Sequence, residues 1–155
     1  MTRTEKLLKI SSHTTTEICG FVGDYKFLSN MYDCKIIWHN LEFNSVEAAY
    51  QASKCKKMKD AKQFCNLSGY ESKQYIRNLN IRSDWEHIKY NLMCQLVFQK
   101  FLINEDLNTK LCNTLDRYLE ETNYWNDTYW GVCNGIGENN LGKILMNTRR
   151  YFINI

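Results

Sequence analysis

The sequence predicts a mainly α fold with a small β component (α+β), and three observations carry that prediction. Apolar residues recur at helical spacing over several segments, most strongly from Ser83 to Ile103. A single hairpin signal stands out in the first half, the run KIIWHNLEF over Lys35–Phe43, where β-branched and aromatic residues flank the turn pair His39 and Asn40. The length of 155 residues suits one domain with a core and is short for two.

In chain order, residues 1–18 are polar and read as a flexible N-terminal segment. Gly20 and Gly23 then punctuate the start of a domain over 19–155. After the hairpin, Asn44 can cap a helix whose face carries Val46, Ala49, Tyr50 and Ser53, running to about Met58. A short helix over Asp60–Leu67 is stopped by Ser68 and Gly69, and another follows over Glu71–Leu79. The core helix opens at Ser83, where Glu86 completes a capping box, and continues through Trp85, Ile88, Leu92, Leu96 and Gln99. Two more are expected, Glu105–Leu115 and Asn140–Tyr151, the latter with Leu141, Leu145 and Met146 facing inward.

Composition narrows the function classes. Apolar residues at 44% and charged residues at 24% describe a globular chain rather than a disordered one. A formal charge of +3 does not demand nucleic acid, yet tolerates a phosphate-bearing ligand. No apolar run reaches membrane-spanning length, and MTRTEKLLKISS lacks the apolar core of a signal peptide, so the expected location is the cytoplasm with no membrane partner. The seven cysteines are odd in number and scattered, with no CxxC pair, which argues for reduced thiols against a disulfide framework or a zinc site. His13, His39 and His87 are isolated as well, so no metal is implied. Absent proline and abundant Asn, Lys and Ile read as coding bias of an AT-rich genome, such as that of a bacterial virus.

Two runs carry chemistry. ETNYWNDTYWG, from Glu121 to Gly131, follows neither helical nor strand periodicity yet keeps Trp125, Tyr129 and Trp130, a pattern that suits the lining of a pocket for a polar, ring-bearing ligand. NSVEAAYQASK, from Asn44 to Lys54, places a carboxylate and an amine two helical turns apart. These runs, together with FVGDYKFLSNMY (Phe21–Tyr32), the pair Asp84–Trp85 with Lys89 a turn on, and GENNLGKILMNTR (Gly137–Arg149), resemble the NADAR family, also called YbiA-like. Five blocks in the family's order cover nearly everything after residue 20. Ala48 stands where the family usually has His, Met31 where it often has an aromatic, and the segment between Asp60 and Asn80 is the least similar.

The resemblance implies a single, mainly helical domain with a small sheet that hydrolyses the bond between a ribose anomeric carbon and an amine, without cofactor or metal. Some members release ADP-ribose from the exocyclic amine of guanine; others act on phosphoribosylated amino-pyrimidine intermediates of riboflavin synthesis. The first activity is the expectation here, with ADP-ribosylated guanine in a nucleotide or nucleic acid as substrate and ADP-ribose as product. The second activity, and a module that sequesters ADP-ribose-type signals without turnover, are the alternatives. Oligomeric state is left open.

Such a reaction passes through an oxocarbenium-like state, which asks for a stabilising carboxylate and an acid or base for the amine and water. Glu47 and Asp127 are the expected pair. The substrate is also an aminal that can open to an imine, so a lysine could displace the base as a Schiff base. Lys54 and Lys89 are the candidates, with Lys54 favoured because it shares a helix face with Glu47, about 10.5 Å away along the axis. Trp130 is the expected stacking platform beside Gly131 and Asn123, with Trp85 and Tyr50 as further aromatic contacts. Phe27, Ser29 and Asn30 form a loop suited to ribose or phosphate, Asn139 and Gly142 sit at a helix N-terminus suited to anions, and Arg82 and Arg149 can neutralise phosphate. Each has a plain structural alternative. Glu47 fits the acid of a capping box begun by Asn44, Asp127 a turn closed on its own backbone, Trp85 the core, and the lysines a solvated basic face.

Overall fold

A computed structural model describes residues 1–155. The elements are α1 (Arg3–Ile10), β1 (Ser12–His13), β2 (Glu17–Cys19), β3 (Ile36–Trp38), β4 (Leu41–Phe43), α2 (Val46–Ala52), α3 (Met58–Ala61), α4 (Gly69–Tyr75), α5 (Trp85–Ile103), α6 (Glu105–Cys112), β5 (Tyr118–Glu120), β6 (Thr122–Asn123), β7 (Val132–Cys133) and α7 (Asn140–Ile153). Short 3-10 turns cover Gly23–Leu28, Lys62–Asn66 and Ile76–Asn78. The fold is mainly α with a small β component, as the periodicity predicts. The chain divides into two units, one formed by Met1–Ser29 with Asn108–Ile155 and the other by Asn30–Leu107.

In the first unit, β1 and β2 are antiparallel while β2 and β5 are parallel, pairing Ile18 with Leu119. Both of those side chains are fully buried. Helix α7 packs on β5 and buries Leu141, Ile144 and Leu145 along one face. Strands β6 and β7 form a second parallel pair, Asn123 opposite Cys133. Sequence patterning missed these strands because pieces of two or three residues show no alternation to read.

The N-terminal segment expected to lack regular structure contains α1. Its start is fixed by a capping box in which Thr2 Oγ1 accepts from Glu5 N–H and Glu5 accepts from Thr2 N–H. The helix is anchored by charge on aromatic rings. The Arg3 guanidinium lies 4.2 Å from the centre of the Trp125 ring and Lys6 Nζ 5.5 Å from that of Tyr124.

In the second unit, the β3–β4 hairpin turns through His39 and Asn40, both at positive φ (48° and 61°), the pairing a two-residue type I′ turn requires. Gln99 on α5 grips the hairpin's outer backbone, accepting from Ile37 N–H at 2.6 Å and donating to Ile37 O at 2.7 Å. Helix α2 is the centre of this unit, buried along its whole length and packed against α4 and α5. Gly69 lets α4 approach, since a Cβ there would come within 2.7 Å of Met31 Sδ and 3.1 Å of Glu47 Cβ.

Several boundaries differ from the expectation for physical reasons. The cap of α2 is Ser45, whose Oγ accepts from Ala48 N–H at 3.0 Å; Asn44 instead donates to Cys65 O. The helix stops at Ala52, six residues short of Met58, because Ser53 turns its hydroxyl back onto Tyr50 O at 2.6 Å and Cys55 leaves to pair with Ile81. The cap of α5 is Asp84 rather than Ser83, and no capping box forms there. Asp84 is held by Arg82, and Glu86 is paired with Lys89.

Candidate active site

The second unit gathers the carboxylate and amine of NSVEAAYQASK. Glu47 enters on the first turn of α2 and is 8% exposed. Its N–H donates to Asn30 O at 3.0 Å, and its Oε1 accepts from Gln51 Nε2 at 2.7 Å. With Ser45 as the cap, Glu47 is not the acid of a capping box, so that structural alternative is removed. A carboxylate in such a place needs compensating partners. Gln51 supplies one, and sequence reasoning passed over it although its spacing of four from Glu47 was the available signal.

Lys54 lies just beyond the helix rather than on it, its N–H donating to Gln51 O at 3.2 Å. The shared-face argument therefore fails, but the chain still carries the amine to an aromatic corner. Lys54 Nζ is 5.1 Å from the centre of the Tyr50 ring and 5.4 Å from that of Trp85, and those two rings meet edge to face at 4.9 Å. Burial pushes the Lys54 ammonium below its ordinary pKa. Glu47 and Glu86 oppose that shift, while Lys73 and Lys89 add to it. An amine so placed is neutral, and so nucleophilic, at lower pH than a surface lysine. Lys89 belongs to the same charge cluster but is ion-paired with Glu86. Trp85 and Tyr50 are both core residues, 7% and 6% exposed, that also wall this amine.

A cleft of about 570 Å³ opens in the same unit, lined by Trp38, Lys56, Lys57, Arg82 and Asp84 among others. It adjoins the cluster through the backbone, since Arg82 N–H donates to Lys54 O at 2.8 Å and Cys55 bridges to Ile81. The Arg82 fork is bidentate on Asp84, Nε to Oδ1 at 2.6 Å and Nη2 to Oδ2 at 2.9 Å, which raises the guanidinium's affinity for its proton.

The run ETNYWNDTYWG lies in the first unit, and Asn123 and Asp127 hydrogen-bond within it. Asn123, 1% exposed, donates from Nδ2 to Asp127 O (2.8 Å) and Val132 O (3.2 Å) and accepts at Oδ1 from Trp125 N–H (3.2 Å) and Asp127 N–H (3.1 Å). Its hydrogen-bonding capacity is full, so its place is the hub of the loop rather than a ligand contact. Asp127 Oδ1 accepts from Tyr129 N–H at 3.2 Å and Trp130 N–H at 2.9 Å, the turn closed on its own backbone. Trp130 is half-buried, edge to face with Tyr129 at 4.8 Å. Gly131 is there for contact: a Cβ would sit 2.1 Å from Glu121 O.

The helix N-terminus expected to take an anion is already closed by this loop. Asn140 N–H donates to Tyr129 O and Leu141 N–H to Trp130 O, at 3.3 and 3.0 Å. Asn139, 2% exposed, holds Leu119 O and the Tyr118 hydroxyl through Nδ2 and receives Glu121 N–H at Oδ1. A Cβ on Gly142 would sit 2.2 Å from Leu119 O. Arg149, 6% exposed, donates from Nη1 to Thr114 Oγ1 at 2.8 Å and Arg117 O at 2.9 Å, so it fastens α7 to the preceding turn. Phe27 is buried with Lys110 Nζ 5.9 Å from its ring centre, and Ser29 ends the 3-10 turn by donating its N–H to Lys26 O.

A helix-rich fold with small sheets, a buried carboxylate and amide on one helix and a half-buried amine at its exit defines a class of α+β domain with a polar cluster in its interior. The chain belongs to the NADAR family: the NADAR domain matches residues 16–152. It is similar to a riboflavin biosynthesis protein of Vibrio vulnificus, 35% identical over 136 residues, which cover 81% of this chain and 35% of that protein. It is similar to an N-glycosidase of Nostoc punctiforme, 33% identical over 118 residues, covering 72% of this chain and 75% of that one. The chain thus spans about a third of the Vibrio protein and three quarters of the Nostoc protein. Among solved structures, the NMR structure of the E. coli protein YbiA matches with a TM-score of 0.79 at 26% identity, over 92% of this chain and 88% of that one. No helix is long and apolar enough to cross a membrane.

Proposed function

We propose that this protein is an N-glycosidase that hydrolyses the ribose–amine bond of ADP-ribosylated guanine in a nucleotide or nucleic acid. The observation that carries the reading is the buried Glu47 in electrostatic reach of the Lys54 amine, which lies over the Tyr50 and Trp85 rings and whose pKa burial depresses. The Nostoc relative's name supports the bond type.

In the direct route, the C1–N bond breaks as positive charge grows on the sugar, and Glu47 stabilises that charge. Water then adds to C1, Glu47 takes its proton, and the proton passes to the departing amine. In the covalent route, the ring-opened imine is attacked at C1 by neutral Lys54, the guanine amine leaves, and water hydrolyses the lysine imine to free sugar and amine. Both routes consume one water and release one amine. Asp127 enters this reading as the residue that shapes the loop bearing Trp130.

The cleft beside Lys54 supports a ligand larger than a phosphoribosyl pyrimidine, because Trp38 offers a ring to stack on and Lys56 and Lys57 offer charge for phosphate. The Vibrio relative's name keeps the amino-pyrimidine substrate as the second reading. The test incubates the protein with ADP-ribosylated guanine DNA and, in parallel, with ribosylamino-pyrimidine phosphate, following released base by mass spectrometry. Release from the DNA alone supports the first reading, and release from the pyrimidine alone replaces it with the second. Tight ADP-ribose binding with neither substrate cut makes the protein a sequestering module.

A further inference from the structure

The buried amides around Glu47 are arranged for more than holding it. Gln51 donates to Glu47 Oε1 through Nε2 at 2.7 Å. With the amide nitrogen on Glu47, the amide carbonyl faces elsewhere. That carbonyl oxygen, Gln51 Oε1, is buried without a hydrogen-bond partner on a residue only 4% exposed. Asn30 carries a second such oxygen and meets Glu47 through the main chain. It is 9% exposed, its Oδ1 is also buried without a partner, and its main-chain carbonyl receives Glu47 N–H at 3.0 Å. Its Nδ2 reaches only the weakly accepting thioether of Met93, at 3.4 Å.

Folded proteins pair nearly all buried carbonyl oxygens, so two orphans, one on the amide that holds the Glu47 carboxylate and one on the residue that holds the Glu47 main chain, ask for an explanation that a bound ligand supplies. All three groups are acceptors. A phosphate would meet three oxygens and a negative charge, whereas a sugar diol or an amine brings only what they lack, hydrogen-bond donors. We propose that Gln51 is a positioning residue for Glu47, and that Gln51 Oε1 with Asn30 Oδ1 forms an acceptor pair for the hydroxyl or amino donors of a ribosyl amine. The proposal rests on the N-glycosidase reading for its substrate and fixes which end of that substrate sits here: the sugar carbon and its hydroxyls, not the phosphates.

The test uses the full chain with ribose 5-phosphate as the binding probe in calorimetry, and ADP-ribosylated guanine DNA for turnover. Gln51→Met, close in size and shape but without donor or acceptor, is expected to weaken ribose 5-phosphate binding about tenfold and to lower kcat as well. Asn30→Ala is expected to weaken binding similarly and to raise KM more than it lowers kcat, because its hold on Glu47 runs through the main chain. Thermal unfolding confirms that each variant is folded; if Gln51→Met is not, Asn30→Ala carries the binding test. Parental affinity for the probe in both variants, or no probe binding by the parent, overturns the acceptor pair. An unchanged kcat in folded Gln51→Met overturns the positioning role. A parent that binds the probe but cuts no ribosyl amine overturns the glycosidase reading instead, and the binding arm still decides the acceptor pair.

Discussion

Replacing Asp127 by Asn and by Ala separates a loop-building carboxylate from a catalytic one. Asp127 Oδ1 receives two backbone N–H groups, from Tyr129 and Trp130. Asn keeps an oxygen at that position, so both bonds survive and only the charge is lost. Ala strands both donors, as losing a helix cap does, at a cost of about 1 kcal/mol. For a chain of this size that is a fall in melting temperature of roughly 2–4 °C. Asn123→Ala should be worse, since four hydrogen bonds converge on that buried amide. A loss of about 3 kcal/mol, or on the order of 10 °C, is expected. Calorimetric melting and single-turnover assays on ADP-ribosylated guanine DNA measure both effects. Asp127→Asn is expected to melt close to the parent and to keep turnover within about threefold. A folded Asp127→Asn protein whose turnover falls by orders of magnitude would refute the loop-building role and return Asp127 to the chemistry.

Three further outcomes are expected. Gly131→Ala forces a Cβ to within 2.1 Å of Glu121 O, so melting should drop by roughly 4–8 °C, reflecting about 2 kcal/mol of overpacking; an unchanged melting curve would show that the loop shifts freely. Trp38→Ala combined with Lys56→Ala and Lys57→Ala should weaken binding of an unmodified single-stranded oligonucleotide by at least tenfold and flatten its salt dependence, as read by fluorescence anisotropy, whereas parental binding would place the strand away from this cleft. Because burial depresses the Lys54 pKa, cyanoborohydride trapping of a substrate adduct should rise with pH and reach half its plateau below the ordinary lysine value of about 10.4. A trapped adduct that persists in Lys54→Met would exclude Lys54 as the imine-forming amine.

The sequence was most legible where burial is periodic. The hairpin at Lys35–Phe43 and the helix through Trp85, Leu92 and Leu96 have patterns long enough to be read, and both are present. Helix ends were less legible, since Ser45 rather than Asn44 caps α2 and Ser53 ends it, choices made by single side-chain hydrogen bonds. Helix α1 was missed although Thr2 and Glu5 spell its capping box, since the contact that anchors it, Arg3 over Trp125, joins residues more than a hundred positions apart. The candidate site was legible in part. Glu47, Lys54, Tyr50 and Trp85 could be picked out by residue type, and the structure brings the Lys54 amine against both rings. By contrast, Asn123, Asn139 and Arg149 looked like ligand contacts because polar residues near Trp and Gly read the same whether they hold a substrate or a neighbouring carbonyl. Only the partners, Val132 O, Leu119 O and Arg117 O, tell these roles apart.

The most direct measurement is the rate of base release from ADP-ribosylated guanine DNA by the parent and by Glu47→Gln, each checked for folding by its melting curve. The substituted amide keeps the shape of the side chain and loses its charge and basic oxygen, so kcat should fall at least roughly a hundredfold with melting nearly unchanged if Glu47 carries the chemistry. A folded Glu47→Gln protein that releases base at the parental rate would contradict it.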